Sequence, residues 1–259
     1  MQLTRAQILA STGFTNYSDV KRLKFILESL QENIPAGGSV LDVGCGNGII
    51  TKSLGKAGFN VKGIDISEKA IEKAKSTNNL PNVTFTVVSA EELAVSQQRY
   101  DCVICSEVLE HLNQPQDLLK VLYQSLEETG ILVVTVPNGQ GPREFFITRP
   151  IITLQKKNNL LWKFVQRLKA TLGYTGTTVQ SDATDLTHIQ FFTKKSLNAL
   201  AENNLFHIKK MGKTNFVENV FPFSFLTKRS TLLQKFDCII ADLLPYSFNS
   251  GFVSVWKKK

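Results

Sequence analysis

Long apolar stretches and cysteines are scarce in this chain of 259 residues. No apolar run approaches the ~18 residues that a membrane-spanning helix needs. The N-terminal region lacks the apolar core and small-residue cleavage site of a secretory signal. Four cysteines are too few for a disulfide scaffold in a chain of this length. We therefore expect a cytoplasmic protein in a reducing compartment.

Two common nucleotide-binding motifs are also missing. The dinucleotide fingerprint GxGxxG, counted from Gly44, would need glycine where the chain has Ile49. The phosphate-binding sequence GxxxxGK followed by Ser or Thr does not occur either. These absences argue against a dinucleotide and against a nucleoside triphosphate as the ligand.

Positive charge is unevenly distributed along the chain. Residues 1–137 carry 12 basic and 15 acidic side chains, whereas residues 138–259 carry 18 basic and 7 acidic ones. The excess in the second part indicates an anionic substrate or surface, such as phosphate, nucleic acid or lipid headgroups. A solvated lysine-rich face is the alternative.

Apolar runs that alternate with helical patterns predict an α/β fold. Right-handed βαβ units give a mostly parallel sheet with helices on both faces. We predict a Rossmann-like, doubly wound, seven-stranded sheet preceded by an N-terminal helix. The predicted strands cover 39–43, 60–66, 82–88, 100–105, 130–138, 205–216 and 251–257, and the predicted helices cover 48–58, 67–76, 115–128, 193–204 and 230–243.

The alternation breaks over residues 139–187, where a glycine–proline turn precedes a basic amphipathic stretch and a polar linker. We interpret this segment as an inserted helical lid that contributes to substrate binding. It divides the chain into a first half (1–138), the lid (139–187) and a C-terminal part that completes the same sheet (188–259). The amphipathic stretch either packs over the active site or binds a membrane surface.

Cys102 and Cys105 form a CxxC sequence inside a predicted strand. Side chains at odd separation on a strand point to opposite faces of the sheet, which does not suit a shared metal. We predict that both cysteines are core residues.

The stretch VLDVGCGNGIITKSLGKAGFNVKGIDIS contains a glycine turn followed by an acidic residue. Gly44, Gly46 and Gly48 follow the first predicted strand, where they let the backbone approach a ligand. Asp65 ends the second strand, where a carboxylate accepts hydrogen bonds from a ribose diol. Asp42 lies beside the glycines, where it could balance a cationic amine or sulfonium.

Four sequences in this order, VLDVGCGNG, GIDIS, SAEEL and CSEVLEHL, resemble class I S-adenosylmethionine-dependent methyltransferases. The resemblance covers residues 15–137, and HIQFFTKKSLNALAENNLF (188–206) extends it. It implies S-adenosylmethionine as the cofactor. Ser89 departs from the pattern, because related sequences often have Asp there.

The resemblance also implies which residues bind this cofactor. They would line its methionine moiety (Asp42, Gly44, Cys45 and Gly46), hold the ribose hydroxyls (Asp65), contact the adenine (Ile66, Ala90 and Glu91) and close the pocket at the end of strand four (Cys105 and Ser106).

Methyl transfer from a sulfonium is a direct displacement that depends on alignment, and a base is needed only for a protonated acceptor. We predict His111 and Glu107 as catalytic residues. The Glu-x-x-Glu-His sequence resembles ubiquinone-biosynthesis O-methyltransferases, and the later histidine resembles small-RNA 2′-O-methyltransferases. These likenesses imply Mg²⁺ or Mn²⁺ held by Glu107, Glu110, His111 and His188.

A role without metal is the alternative for these residues. Glu107 and Glu110 would then orient a helix, His111 would act as a base, and His188 would form a hydrogen bond behind the lid.

We therefore predict a methyltransferase that methylates an oxygen of a small-molecule or lipid-like acceptor, with peripheral membrane contact through the basic lid. One alternative is a metal-assisted RNA 2′-O-methyltransferase. Nucleic acid is the less favoured partner, because the chain lacks aromatic RNA-recognition motifs. The other alternative is a non-catalytic partner subunit that binds the cofactor.

Overall fold

The structure of the protein is a computed structural model. It describes residues 4–142, 144–145, 188–218, 220, 223–227 and 230–259. The described helices are α1 Arg5–Ala10, α2 Tyr17–Asn33, α3 Ile49–Lys56, α4 Glu68–Ser76, α5 Ala90–Ala94, α6 Pro115–Gln124, α7 Lys194–Asn203, α8 Phe223–Thr227 and α9 Thr231–Leu243. The strands are β1 Ser39–Val43, β2 Asn60–Asp65, β3 Val83–Val87, β4 Tyr100–Ser106, β5 Leu126–Pro137, β6 Phe206–Lys213 and β7 Gly251–Lys258.

These strands form one seven-stranded sheet in the order β3-β2-β1-β4-β5-β7-β6. The pairs among β1 to β5 are parallel, and β7 runs antiparallel to both of its neighbours. The strand order reverses between β1 and β4, which is where open sheets of this kind bind ligands, beyond the carboxyl ends of the strands. The predicted mostly parallel, Rossmann-like sheet is confirmed.

Both faces of the sheet are covered by helices, because its strands are apolar on both sides. One core cluster joins α2, α3 and α4 to the first face of the sheet, and the other joins α6 and α7 to the second face. Cys102 lies in the first cluster and Cys105 in the second. The prediction that the CxxC cysteines are core residues on opposite faces is confirmed.

The predicted helix over 115–128 is too long. Helix α6 ends at Gln124, and Leu126 already belongs to β5, where it pairs with Tyr100. Leu126 has helical spacing from Leu122, yet it is buried in the same cluster as part of a strand. The N–H group of Tyr100 donates to the carbonyl of Ser125, so the start of β4 draws this segment into the sheet.

The predicted lid over 139–187 lies outside the described residues except for 139–142 and 144–145. Within the described part of the chain, no helix is both long enough and apolar enough to span a bilayer.

Candidate functional site

The glycine loop after β1 is packed tightly against its surroundings. Gly44 and Gly48 adopt left-handed φ angles of 69° and 74°. A Cβ atom on Gly44 would lie 2.5 Å from Val108, and one on Gly48 would lie 2.5 Å from the ring of Phe85. Glycine is therefore required here both by conformation and by space.

The side chain of Asp42 is directed into this loop. It is 2% exposed, and its Oδ2 accepts a 2.6 Å hydrogen bond from the hydroxyl of Thr51 in α3. Burial raises the pKa of Asp42 to about 7, although the hydrogen bond from Thr51 opposes the shift. Asp42 thus joins β1 to α3, and its contact with a cofactor stays a prediction.

Asp65 connects the glycine loop to the end of β2. Its Oδ2 accepts a hydrogen bond from the N–H of Gly46 (2.9 Å), and its Oδ1 accepts one from the N–H of Ser67 (2.9 Å). The N–H groups of Gly44 and Cys45 donate to the carbonyl of Ile64 at 2.8 and 3.0 Å. The structure therefore brings the predicted loop and the predicted carboxylate into direct contact.

The predicted adenine-binding residues lie at the adjoining ends of β2 and β3. Ile66 is 77% exposed, so it offers apolar surface directly after Asp65. Ala90 and Glu91 start α5, whose N-cap is Ser89. Hydrogen bonds from its own backbone and from Ser89 hold the pKa of Glu91 below its usual value. At the position where related sequences often have Asp, Ser89 thus caps a helix.

The two predicted pocket cysteines are buried. Cys105 is fully buried in the core, and Cys45 is 9% exposed. Burial raises the pKa of both thiols, so neither is a thiolate nucleophile. Any contact between Cys105 and a cofactor would have to come from its backbone. Ser106 is more open, and its Oγ lies 2.9 Å from Oγ1 of Thr135 on β5.

Glu107 follows β4 with a left-handed φ of 58°, which is uncommon for a residue with a side chain. Its Oε1 accepts a hydrogen bond from Thr135 (2.9 Å) and lies 3.2 Å from Nη1 of Arg22. Burial lowers the pKa of Arg22, but Glu107 and Asp19 outweigh this and raise it. Glu107 is therefore held by α2 and β5.

Glu110, His111 and His188 form a compact cluster beyond β4. Each offers one ligand atom, and these atoms all lie within 4.8 Å of one another. The imidazole rings are 5.2 Å apart between centroids, and Nε2 of His111 lies 3.8 Å from Oε1 of Glu110. The structure does not place Glu107 in this group, because Arg22 and Thr135 engage its carboxylate.

The carboxylate of Glu110 is buried without hydrogen bonds to the described part of the chain. Its side chain is 1% exposed, and neither carboxylate oxygen has a hydrogen-bond partner among the described residues. Burial, reinforced by the charge of Glu107, raises the pKa of Glu110 well above its usual value. A buried carboxylate in this condition either holds a proton or binds a cation.

Backbone hydrogen bonds place His188 beside this turn. The carbonyl of Glu110 accepts from the N–H groups of Ile189 (2.8 Å) and Gln190 (2.9 Å). The side chain of Gln190 donates to the carbonyls of Leu112 and Asn113, both at 3.2 Å. His188 therefore reaches the cluster although 76 residues separate it from His111 in sequence.

Sequence reasoning missed Glu144, which also reaches the cluster. Its side chain is 1% exposed, and its Oε1 lies 3.2 Å from Nδ1 of His188. The preceding turn is closely packed, since a Cβ atom on Gly141 would lie 2.4 Å from the carbonyl oxygen of Asn249. No motif marks Glu144, and the only available signal was an acidic residue in a mostly basic segment shortly after the end of β5.

A parallel sheet with a glycine loop after its first strand and a carboxylate after its second is characteristic of proteins that bind adenosine-containing cofactors. The model of the methyltransferase domain family matches residues 15–208, a span that contains the loop, Asp65 and the cluster. The chain belongs to this family.

Two curated relatives carry the same name in different organisms. The ubiquinone biosynthesis O-methyltransferase of Bordetella avium is 33% identical over 153 residues, which cover 56% of this chain and 63% of that protein. The mitochondrial ubiquinone biosynthesis O-methyltransferase of Schizosaccharomyces pombe is 36% identical over 119 residues, 44% of this chain and 43% of that protein. The matches thus span less than two thirds of these relatives.

Solved structures share the fold at low identity. Magnesium protoporphyrin IX methyltransferase from Synechocystis PCC 6803 has a TM-score of 0.53 and 19% identity, covering 94% of this chain and 84% of that one. 1,6-Didemethyltoxoflavin-N1-methyltransferase from Burkholderia thailandensis has a TM-score of 0.55 and 15% identity, covering 92% and 78%. Both contain S-adenosylhomocysteine. At such identities the likeness establishes the fold alone.

Proposed function

We propose that this chain transfers the methyl group of S-adenosylmethionine to an oxygen atom of a small-molecule or lipid-like acceptor. The observation that carries the proposal is the pairing of two features at one edge of the sheet. The loop bonded to Asp65 suits the cofactor, and the cluster of Glu110, His111 and His188 suits a hydroxyl acceptor. The names of the two relatives support oxygen as the methylated atom.

The cofactor would lie across the carboxyl ends of β1 and β2. We assign its methionine part to the loop of Gly44, Cys45 and Gly46, and its ribose hydroxyls to Asp65. The exposed side chain of Ile66 would cover one face of the adenine. Ala90, Glu91, Cys105 and Ser106 complete the proposed set, Cys105 through its backbone.

Catalysis would rest mainly on alignment, with one proton to remove. The acceptor oxygen attacks the methyl carbon, the bond from that carbon to sulfur breaks, and S-adenosylhomocysteine leaves. We propose that the imidazole of His111 takes the hydroxyl proton, since its side chain is 19% exposed whereas that of Glu110 is 1% exposed. Glu107 would position this turn through Arg22.

The cluster also fits a divalent cation such as Mg²⁺ or Mn²⁺. The unpartnered, buried oxygens of Glu110 and the two imidazoles are donors that such ions accept. Glu110, His111 and His188 would hold the ion, and Glu107 stays outside the set. When bound, a cation supplies a Lewis acid that lowers the pKa of an acceptor hydroxyl.

The basic second part of the chain supports an anionic or membrane-associated acceptor. Contact with a membrane through the segment 139–187 belongs to the same proposal, and so does a cytoplasmic location at the membrane periphery. If a lipid is the acceptor, turnover should rise when it is presented in anionic vesicles.

The test is methyl transfer from labelled S-adenosylmethionine to catechols, lipid extracts and short RNAs, each with Mg²⁺, with Mn²⁺ and with chelator. We expect turnover of a catechol or lipid, and none in Asp65→Ala. Turnover that chelator abolishes supports the cation, whereas turnover that chelator spares leaves His111 as the base. Transfer to RNA alone, or cofactor binding without turnover of any acceptor, would contradict the proposal.

A further inference from the structure

Glu144 contacts His188, and the proposed cation site uses His188 but not Glu144. Nδ1 of His188 lies 3.2 Å from Oε1 of Glu144, and the side chain of Glu144 is 1% exposed. Histidines that bind metals usually donate their other ring N–H to a carboxylate, which sets the tautomer and the orientation of the ring. The two atoms are within the distance of such a hydrogen bond, although their contact in this structure lacks hydrogen-bond geometry.

We infer that Glu144 is a positioning residue that holds His188 as the Nδ1–H tautomer and leaves the Nε2 lone pair for a divalent cation beside Glu110 and His111. The inference rests on the proposed cation site. It adds to the three proposed ligands a supporting residue after β5, which no motif in the sequence marks.

Charge around the cluster supports this role. Glu110 and Glu144 are both 1% exposed, and none of their four carboxylate oxygens has a hydrogen-bond partner among the described residues. Buried carboxylates are normally paired or coordinate metals. A dication held by Glu110, His111 and Nε2 of His188 would balance the buried charge of Glu110.

The local backbone keeps Glu144 in place for this task. The side chain of Asn138 donates to the carbonyls of Tyr246 (2.9 Å) and Asn249 (2.8 Å). The N–H group of Gln140 donates to Oδ1 of Asn138 at 3.1 Å. These bonds join the end of β5 to the segment before β7, so the backbone shortly before Glu144 is fixed.

The first experiment measures the His188 tautomer in the intact protein without metal. Long-range proton–nitrogen NMR on ¹⁵N-histidine protein distinguishes Nδ1–H from Nε2–H imidazole. We expect His188 to be the Nδ1–H form in the wild type and a mixture in Glu144→Ala. A wild-type His188 in the Nε2–H form would overturn the inference, and this readout does not depend on methyl transfer.

The second experiment measures Mn²⁺ affinity by electron paramagnetic resonance, which reports free Mn²⁺. Losing an outer-shell partner typically costs about 10- to 100-fold in metal affinity. We expect that loss in Glu144→Ala, and a smaller one in Glu144→Gln because glutamine keeps an acceptor oxygen. Glu218→Gln is the matched control, since Glu218 is also 1% exposed but bonds to the backbone of Tyr17 and Ser18.

A double variant separates positioning from general damage. If Glu144 acts through His188, then Glu144→Ala should weaken Mn²⁺ binding no further in a His188→Ala background. Additive losses, an unchanged affinity in Glu144→Ala, or no Mn²⁺ binding by the wild type would each overturn the inference. Methyl transfer that persists in chelator would instead contradict only the catalytic use of the cation.

Discussion

The two carboxylates of Asp65 and Glu110, beyond the carboxyl ends of the strands, differ in their hydrogen bonds. Asp65 has each oxygen occupied by a backbone N–H, from Gly46 and from Ser67. Glu110 has neither oxygen hydrogen-bonded among the described residues, although it is almost fully buried. At the proposed cofactor end the carboxylate is thus fully hydrogen-bonded, whereas at the proposed acceptor end it retains charge that a proton or cation must balance.

We expect the largest effect from a substitution at Gly48, in the glycine loop that is bonded to Asp65. Gly48→Ala would force a side chain into a left-handed conformation and place its Cβ 2.5 Å from Phe85. Strain of about 1–2 kcal/mol and overpacking of about 1–3 kcal/mol should lower the free energy of unfolding measured in urea. Gly37→Ala is the control, since φ is 75° and no atom lies within 4 Å. Equal losses in the two variants would refute the packing argument.

Asp65→Asn should have the next largest effect, and it should act on affinity. The change removes the charge and turns one acceptor into a donor that faces a backbone N–H. Hydrogen bonds to charged groups contribute about 1.5–3 kcal/mol, so S-adenosylhomocysteine should bind roughly 10- to 100-fold more weakly by calorimetry. Asp101→Asn should leave this affinity unchanged, because Asp101 bonds to Ser39 at the other end of β1.

Glu110→Gln should have the smallest effect, and it should increase the free energy of unfolding. Burial raises the pKa of Glu110 in the folded protein, so the folded state favours the protonated carboxyl group. This group therefore contributes most to the free energy of unfolding below pH 4.3, roughly the pKa of an unfolded glutamate, and the contribution is lost as the pH rises. With chelator at pH 8, the variant should be more stable than the wild type, because glutamine carries no charge that burial would penalise. At pH 4 the two should be alike.

Urea unfolding at both pH values measures that difference. Glu72→Gln, on the exposed side of α4, should show no such pH-dependent gain. A gain in Glu110→Gln that is equal at pH 4 and pH 8 would show that the carboxylate does not titrate in this range.

Much of the fold follows from local patterns, and one boundary shows where such patterns fail. Continuous apolar runs such as ILVV at 131–134 indicate strands buried on both faces, and the seven predicted strands form the sheet. Leu126 fits a helix by spacing, but the pairing of β4 with β5 decides its conformation. Spacing along the chain carries no information about a partner strand.

The candidate site was less predictable than the fold, for a related reason. The approach of Asp65 to the glycine loop follows from the order of parallel strands. The separation of Glu107 from Glu110 and His111 depends on Arg22, which arrives from α2. The approach of Glu144 to His188 depends on two backbone segments that are far apart in sequence.

The base of the segment after β5 is closed by backbone contacts. Asn138 and Phe192 form a parallel bridge, and the N–H group of Gly139 donates to the carbonyl of Phe192 at 2.6 Å. The chain thus departs from the sheet and rejoins it at a single point. Because both ends of the intervening chain meet at this bridge, its length can change without displacing β5 or the strands that carry the glycine loop and Asp65.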